Sequence, residues 1–564
     1  MNKTDSISNL KQLIERSALK FGDKIALQIK RNSTWTRYSF QDIWERVERI
    51  GGQLRSLGID KGDRVAIISE NCPEWGIAYL SIVSTGITAI PIDCKLSKEA
   101  ILHLAEFSGI KAVFVAEELN KFFEEQKSLL VFNLEKIGLP LEDIRLTSHL
   151  PPAKELPEVG ILKDDVASII FTSGTTGTPK GVMLTHYNFI SDVLASLRSL
   201  PPLSPADNIL SLLPLHHVFE FTAGFLFPLY SGSTITYIKS LQSDKILENM
   251  QETKTTAIAA VPLLYEIFYQ RIVDKIQELP RGVQILLGIF VKINRWIRFI
   301  SGKNMGKLFF SKIHKGFGGR IRFFVSGGAK LELKVARFFQ DIGFDILEGY
   351  GITEASPVVS VNSIEGNKIG SVGKPLTGIQ VKIDRPDHAG RGEIKIKGPN
   401  VMLGYFKNDK ATHEVIRGGW FHTGDLGYLD KEGYLYITGR QKDLIVTSAG
   451  KNVYPDDVEA YYSKIPGISE LCAFGCTTEE GEEVFAAIIP DNKYFAGKNS
   501  EEIRAEIEKL LQERSKTIPS YERIRNFIIW KGEFPKTALK KKKRFKIKED
   551  CAKYFSNNKG EVKA

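Results

Sequence analysis

Cysteine is scarce in this sequence: Cys72, Cys94, Cys472, Cys476 and Cys551 are the only five in 564 residues. An odd number so widely spaced supplies no disulfide framework and points to a reducing compartment. Cys472 and Cys476 resemble half of a metal site. No second pair and no spaced histidine follows, so plain thiols are expected there. Long apolar runs are missing too. No stretch of about 18 uncharged apolar residues occurs, which excludes a spanning helix. The opening residues, MNKTDSISNLKQLIERS, lack the apolar centre of a signal peptide, so a cytoplasmic location is expected. Repeats and low-complexity tracts are absent apart from one basic run, and the ordinary composition excludes wholesale disorder and collagen. Charge of one sign does not dominate: 77 Lys+Arg against 67 Asp+Glu leave a net +10. That balance suits an anionic partner, but no nucleic-acid recognition motif or aromatic–basic interleaving accompanies it.

What is present is an ordinary globular composition, 43% hydrophobic and 26% charged, in a chain too long for one core. The N-terminal portion alternates amphipathic helices, such as Phe40 to Leu57 and Trp75 to Thr85, with short apolar strands at Arg64–Ser69, Val113–Val115 and Val166–Phe171. That alternation predicts α/β architecture. After about residue 370 the pattern changes. Ile379–Ile383, Gly392–Lys397 and Tyr434–Ile437 alternate polar and apolar residues, and turn-rich stretches lie between them, which predicts mostly antiparallel β structure. From about 443 an α+β segment follows. Its expected helices are Pro455–Lys464 and Ser500–Ser515, and its strands include Val484–Ile489 and Ile524–Ile529.

The richest stretch is Phe171-Thr-Ser-Gly-Thr-Thr-Gly-Thr-Pro-Lys-Gly181, which follows a buried-strand pattern. Its glycines let the backbone turn and present N–H groups to an anion, its hydroxyls add donors, and Lys180 adds charge. The physical reading is a loop that wraps polyphosphate. It is not a Walker loop, because Lys180 lies between Pro179 and Gly181.

This stretch resembles the phosphate loop of the adenylate-forming (AMP-binding) superfamily, which includes acyl-CoA synthetases. Further motifs resemble that family and follow in its order. They are Gly349-Tyr-Gly-Ile-Thr-Glu354, Gly419-Trp-Phe-His-Thr-Gly-Asp425, Gly439-Arg-Gln-Lys-Asp443 and Pro535-Lys-Thr537. The whole pattern is most similar to bacterial long-chain fatty acid–CoA ligases. The resemblance implies a large N-terminal domain of layered α/β subdomains plus a β subdomain, residues 1–441. A small mobile α+β domain, residues 442–564, would complete the fold. It also implies two half-reactions: a carboxylate attacks ATP to give acyl-AMP and pyrophosphate, then a thiol displaces AMP.

The same resemblance assigns roles. Thr172, Ser173, Gly174, Thr175, Thr176, Gly177 and Lys180 would hold the phosphates. Glu354 would bind Mg2+, with Thr175 and Thr353 as hydroxyls to phosphate or metal. Gly349, Tyr350 and Gly351 would contain the adenine, with Tyr350 stacked on it. Asp425 would accept the ribose hydroxyls, and Arg440 would contact ribose or phosphate. Lys442 would be the hinge. Gly328 and Ala329, in Ser326-Gly-Gly-Ala329, would leave room between acyl chain and adenine. His217 would gate the acyl site, and Gly450 would meet the pantetheine of CoA.

The C-terminal motif departs from the family, because Leu539 and Lys540 replace its usual Ser-Gly. By position Lys541 is the adenylation lysine. Lys540 competes for that role, and a solvated basic patch is the plain alternative. Gln284 to Ile300 is apolar with Lys292, Arg295 and Arg298 three apart. This predicts either an interfacial helix on an anionic membrane or an ordinary packed helix. ATP, Mg2+ and CoA are the implied cofactors, and a fatty acid is the implied substrate. An acyl-carrier-protein synthetase is the nearest alternative, and a non-enzymatic membrane-associated binding protein is the remote one.

Overall fold

A computed structural model describes residues 7–137, 160–172, 179–447, 451–478, 481–536 and 542–557. The chain divides into two compact units. The first comprises Met1–Gln380 with Ile396–Phe421, and the second Val381–Lys395 with His422–Ala564.

Two large sheets build the first unit. Seven strands run in the order Gly404–Tyr405, Lys180–Thr185, Val166–Thr172, Thr88–Pro91, Arg64–Ile68, Ala112–Val115 and Leu130–Asn133. The last five pair in parallel, and the first two add antiparallel edges. Nine strands form the other sheet. Its parallel centre holds Ile346–Gly351, Phe323–Ser326, Ala257–Ala260, Asn208–Ser211, Thr234–Tyr237 and Ile25–Arg31. The sequence shows why. These strands are short apolar runs separated by helices, the pattern of a sheet buried on both faces. The helix Pro73–Val83 is buried at every residue and packs into one core with residues of both sheets, including Leu27, Val65 and Ile235. A helix that is apolar all round is stable only when covered on all sides.

The expected helix at Phe40 forms as Phe40–Ser56. A capping box at its start joins Ser39 and Asp42, satisfying donors that would otherwise be orphaned. The expected helix over Gln284–Ile300 forms as Arg281–Ser301, and two of its three cations meet one carboxylate. Arg295 donates to both Asp341 carboxylate oxygens, and Arg298 lies 4.0 Å from the same group. Leu287, Phe290 and Val291 pack inward, and Phe290 stacks on Phe309 at 5.0 Å. The opposite face is apolar as well: Ile285 is 64% exposed, Trp296 65%, Phe299 88% and Ile300 62%. Among the described residues, no helix is long and apolar enough to cross a membrane.

The turn-rich region beyond residue 370 forms a five-stranded sheet that includes Gln380–Asp384, Gly392–Lys397, Trp420–Leu429 and Leu435–Arg440. In the second unit a three-stranded sheet follows, Ile468–Thr478, Gly481–Pro490 and Asn526–Ile529, with helices Pro455–Tyr462, Ser500–Ser515 and Arg544–Asn557. Cys472, Cys476 and Cys551 lie together in its apolar core. Burial pushes the Cys472 and Cys551 thiols up to about 12 and Cys476 to about 11. They share that core with Phe474, Phe485, Ile528 and Ile547, an apolar setting.

Candidate functional site

In the first unit the candidate residues gather at the carboxyl ends of parallel strands, where open α/β sheets place their ligand sites. Leu213–Glu220 leaves the strand Asn208–Ser211, Ser326–Ala329 leaves Phe323–Ser326, and Ile352–Glu354 leaves Ile346–Gly351. Gly328 and Ala329 are exposed. The Phe219 ring lies over Gly327, where a Cβ would come within 2.9 Å of its Cζ. The Leu213–Glu220 and Gly-Gly-Ala segments are therefore neighbours.

The strands Val166–Thr172 and Lys180–Thr185 hold the two ends of the phosphate loop in antiparallel register, with Thr172 opposite Lys180. The Thr172 hydroxyl donates to the Lys180 carbonyl at 3.4 Å. Ser173, Gly174, Thr175, Thr176 and Gly177 lie outside the described residues.

Gly349, Tyr350 and Gly351 end a strand that pairs with Val358–Val361. A Cβ on Gly351 would sit 2.3 Å from the Pro357 carbonyl oxygen, so this close approach admits only glycine. Tyr350 is buried. Thr353 and Glu354 occupy a single 3-10 turn, Thr353–Ala355. Asn400 donates to the Ala355 carbonyl at 2.8 Å, and the Met402 N–H donates to the Glu354 carbonyl at 2.8 Å. The Glu354 Oε1 accepts the Tyr405 hydroxyl at 2.9 Å. The Lys180 ammonium lies 4.8 Å from the centre of the same tyrosine ring. Burial, then the Glu354 charge, hold the Tyr405 phenol above its usual range, so it remains a donor. Sequence reading passed over Tyr405, because Gly404-Tyr-Phe406 carries no chemical signature of its own.

His217 is half-buried beside His216, their ring centres 4.3 Å apart. Burial holds His217 below its usual range. Burial, then its neighbour, push His216 down to about 3. Both rings are neutral at neutral pH. Glu220 was also unforeseen. It starts the π-helical segment Glu220–Leu226, is buried, and is pushed up to about 8 by that burial. The Ser211 side chain and the Leu213 backbone act the other way, and burial outweighs them. The only sequence signal was an acidic residue closing an apolar segment.

In the second unit Asp425 and Arg440 face each other across paired strands, 3.1 Å apart. The Thr423 hydroxyl donates to the Ile394 carbonyl at 2.7 Å and accepts the Asp425 N–H at 3.0 Å. Glu393 accepts the Gly424 N–H at 3.1 Å and lies 3.0 Å from His422 Nδ1. The Thr-Gly-Asp turn is thus held on both sides, with Asp425 buried. Lys442 is exposed in the 3-10 turn Gln441–Asp443. Gly450, Lys540 and Lys541 lie outside the described residues. Their neighbours are described, and the basic run is in part internal. Arg544 donates to Asp443 at 3.0 Å, Asp456 at 2.6 Å and Glu459 at 2.7 Å. Lys542 donates to Glu459 at 2.7 Å, and the Lys543 N–H donates to the Pro535 carbonyl at 2.8 Å.

Chemically, the first unit offers a carboxylate with a hydroxyl donor, an ammonium over the ring of that same tyrosine and a neutral histidine pair. The second offers a carboxylate–guanidinium pair on a rigid turn. The donors suit magnesium with a nucleotide. Mg2+ prefers carboxylate oxygen and commonly takes one or two protein carboxylates plus substrate phosphates. Glu354 supplies such an oxygen, and no fuller protein cage occurs among the described residues.

Comparisons with known proteins agree with this arrangement. The family described as AMP-binding enzyme matches residues 14–406, and its C-terminal domain family matches residues 457–541. The long-chain-fatty-acid–CoA ligase FadD15 of Mycobacterium bovis is 29% identical over 549 residues, covering 91% of this chain and 90% of its own. The chloroplastic long-chain-fatty-acid–[acyl-carrier-protein] ligase AEE15 of Arabidopsis thaliana is 28% identical, covering 85% and 75%. Among solved structures, the O-succinylbenzoate coenzyme A synthetase MenE of Bacillus subtilis, in complex with ATP and magnesium ion, superposes with a TM-score of 0.74 at 25% identity. The superposition covers 95% of this chain and 99% of that one.

Proposed function

This chain belongs to the AMP-binding, adenylate-forming enzymes, its chemistry is ATP-dependent adenylation, and we propose that its acid is a long-chain fatty acid passed from acyl-AMP to coenzyme A. The observation that carries the adenylation reading is the Glu354 carboxylate and Lys180 ammonium gathered about one tyrosine. The fatty-acid reading is supported by FadD15, named for that activity and alike over nearly the whole chain.

In the first half-reaction a substrate carboxylate oxygen bonds to the α-phosphorus of ATP. The α–β anhydride bond breaks, and pyrophosphate leaves with its electron pair. Negative charge crowds the reacting centre, so fixed cations and N–H donors do the stabilising work. Lys180 and the phosphate loop, Ser173 to Gly177, bind the leaving phosphates, and Lys541 stabilises the developing charge. Glu354 would hold Mg2+, with Thr175 and Thr353 beside it; the ion neutralises phosphate charge when bound. Tyr350 stacks on adenine, Asp425 accepts from the ribose hydroxyls, and Arg440 holds Asp425 in place. In the second half-reaction the CoA sulfur bonds to the acyl carbon, and AMP leaves. His217 gates the acyl channel, Gly328 and Ala329 leave room beside it, and Gly450 meets pantetheine. Lys442 is the hinge between the two steps.

The face made by Ile285, Ile289, Trp296, Phe299 and Ile300 suits the surface of an anionic bilayer, the source of the acid. The helix carries no acidic residue, and Lys292 emerges within the face. Cosedimentation with anionic vesicles should fall about tenfold in Trp296→Glu/Phe299→Glu. Equal pelleting, or concentration-dependent pairing of the wild type without vesicles, would replace the bilayer with another partner.

A second reading keeps the adenylation and changes the thiol to that of an acyl carrier protein, as AEE15 is named. The basic surface suits an acidic partner of that kind. Pyrophosphate and AMP release, measured over C2 to C18 acids with CoA, with carrier protein and with neither, separates the two. CoA-dependent turnover on long acids supports the first reading, and turnover only with carrier protein supports the second. Release confined to short or aromatic acids removes the fatty-acid reading.

A further inference from the structure

The segment Met402–Phe406 touches both charged ends of the phosphate site. Its main chain meets the Lys180 strand: Leu403 N–H donates to the Met183 carbonyl at 3.0 Å, and Phe406 N–H to the Gly181 carbonyl at 2.7 Å. Tyr405 is thereby registered opposite Val182. The same segment meets the Glu354 turn through Met402 N–H on the Glu354 carbonyl. Between these anchors stands Tyr405, 5% exposed, with its own N–H donated to the Thr412 hydroxyl at 2.9 Å. Its hydroxyl donates to Glu354, and its ring face receives the Lys180 ammonium. One rigid side chain, about 6.5 Å from Cα to hydroxyl oxygen by standard bond lengths, therefore contacts a carboxylate at its tip and a cation at its face. Held so, neither group need be ordered when ligand arrives.

We propose that Tyr405 is a positioning residue that spaces the metal-binding carboxylate of Glu354 from the phosphate-binding ammonium of Lys180. The proposal rests on the adenylation reading. A tyrosine that merely filled the core would need its ring but not its hydroxyl. A positioning tyrosine needs both, and loses a different function with each. Without the hydroxyl, Glu354 keeps its place in the chain but loses a donor that orients Oε1. Metal affinity should fall, and nucleotide binding without metal should not. Without the ring, Lys180 loses its support, and nucleotide binding should fall even when metal is absent.

The test is calorimetric binding of ATP to the full chain, in EDTA and across a magnesium titration, alongside pyrophosphate release. Tyr405→Phe should bind ATP in EDTA within about twofold of wild type, and should need about tenfold more magnesium for half-maximal effect. Tyr405→Leu should also weaken ATP in EDTA by about fivefold. An unchanged magnesium midpoint in Tyr405→Phe overturns the proposal, as does equal weakening with and without magnesium. A second arm guards against a folding artefact. In a Glu354→Gln background, Tyr405→Phe should change the magnesium dependence no further, and additive losses would overturn the proposal. Failure of the underlying reading looks different: the wild type itself would bind no ATP and release no pyrophosphate with any acid.

Discussion

The helix Arg281–Ser301 and the basic run 540–544 are opposites in composition, and their environments are exchanged. The apolar helix turns Ile285, Trp296 and Phe299 outward, while the basic run sends Lys542 and Arg544 inward to carboxylates. Composition predicts burial for the first and hydration for the second. What decides is the neighbour. Glu459, Asp456 and Asp443 lie where Arg544 can reach all three, and no element of the first unit covers the outer face of the apolar helix among the described residues. A charge can be buried when its partners are already in place, and an apolar face stays exposed when nothing in the chain fits it.

The comparison can be broken at four points, in falling order of effect. Arg544→Ala leaves Asp443 and Asp456 without their shared cation and leaves Glu459 only Lys542. The second unit should lose about 3–5 kcal/mol in chemical denaturation, with Arg544→Lys recovering part of it. A loss below about 1 kcal/mol would mean that the run is solvated after all. Glu220 sharpens the contrast, being a buried carboxyl with no ion pair among the described residues. Its carboxyl moves from a usual 4.5 up to about 8 in the folded chain. The unfolded chain releases its proton first as pH rises, so stability is greatest below about 4.5 and is lost as pH climbs through about 8. Glu220→Gln should remove that slope and exceed wild type by a few kcal/mol at pH 9, with little difference at pH 5, in paired melts. On the apolar helix, Phe290→Ala deletes an inward ring stacked on Phe309 and should cost about 1–3 kcal/mol. Phe299→Ala, on the outward face, should change stability by less than about 0.5 kcal/mol. Equal costs at these two positions would show that the outer face is covered in solution.

Much of the site was readable because its chemistry is local. Donor density around Lys180, the Gly349–Glu354 turn and the Thr-Gly-Asp425 turn each concentrate special residues within a few positions, and flanking apolar runs placed them at strand ends. The α/β alternation and the later antiparallel region were readable for a similar reason, since each period is written in consecutive residues. Tyr405 was not, because its meaning lies in two partners distant in the chain, Lys180 and Glu354. Glu220 was hidden in the same way. Nothing in Val218-Phe-Glu220 announces a π-helical start that buries the carboxyl. The basic run misled for a third reason. Lys542 and Arg544 are internal only because the helix Pro455–Tyr462 presents Asp456 and Glu459 to them, a meeting across about 85 residues that no window of sequence contains.

The Arg544 cluster has a consequence for proteolysis. Five consecutive basic residues, Lys540 to Arg544, look like the easiest tryptic target in the chain. A protease must draw the residue before the scissile bond into its own acidic pocket. Lys542 and Arg544 already occupy an acidic pocket of this protein, formed by Glu459, Asp456 and Asp443. Cutting after either residue requires the cluster to open first, so the cleavage rate there, with protease in modest amounts, reports the population of the opened second unit. Mass mapping of the cuts after Lys542 and Arg544, against those elsewhere in the run, then measures how tightly this cluster is closed.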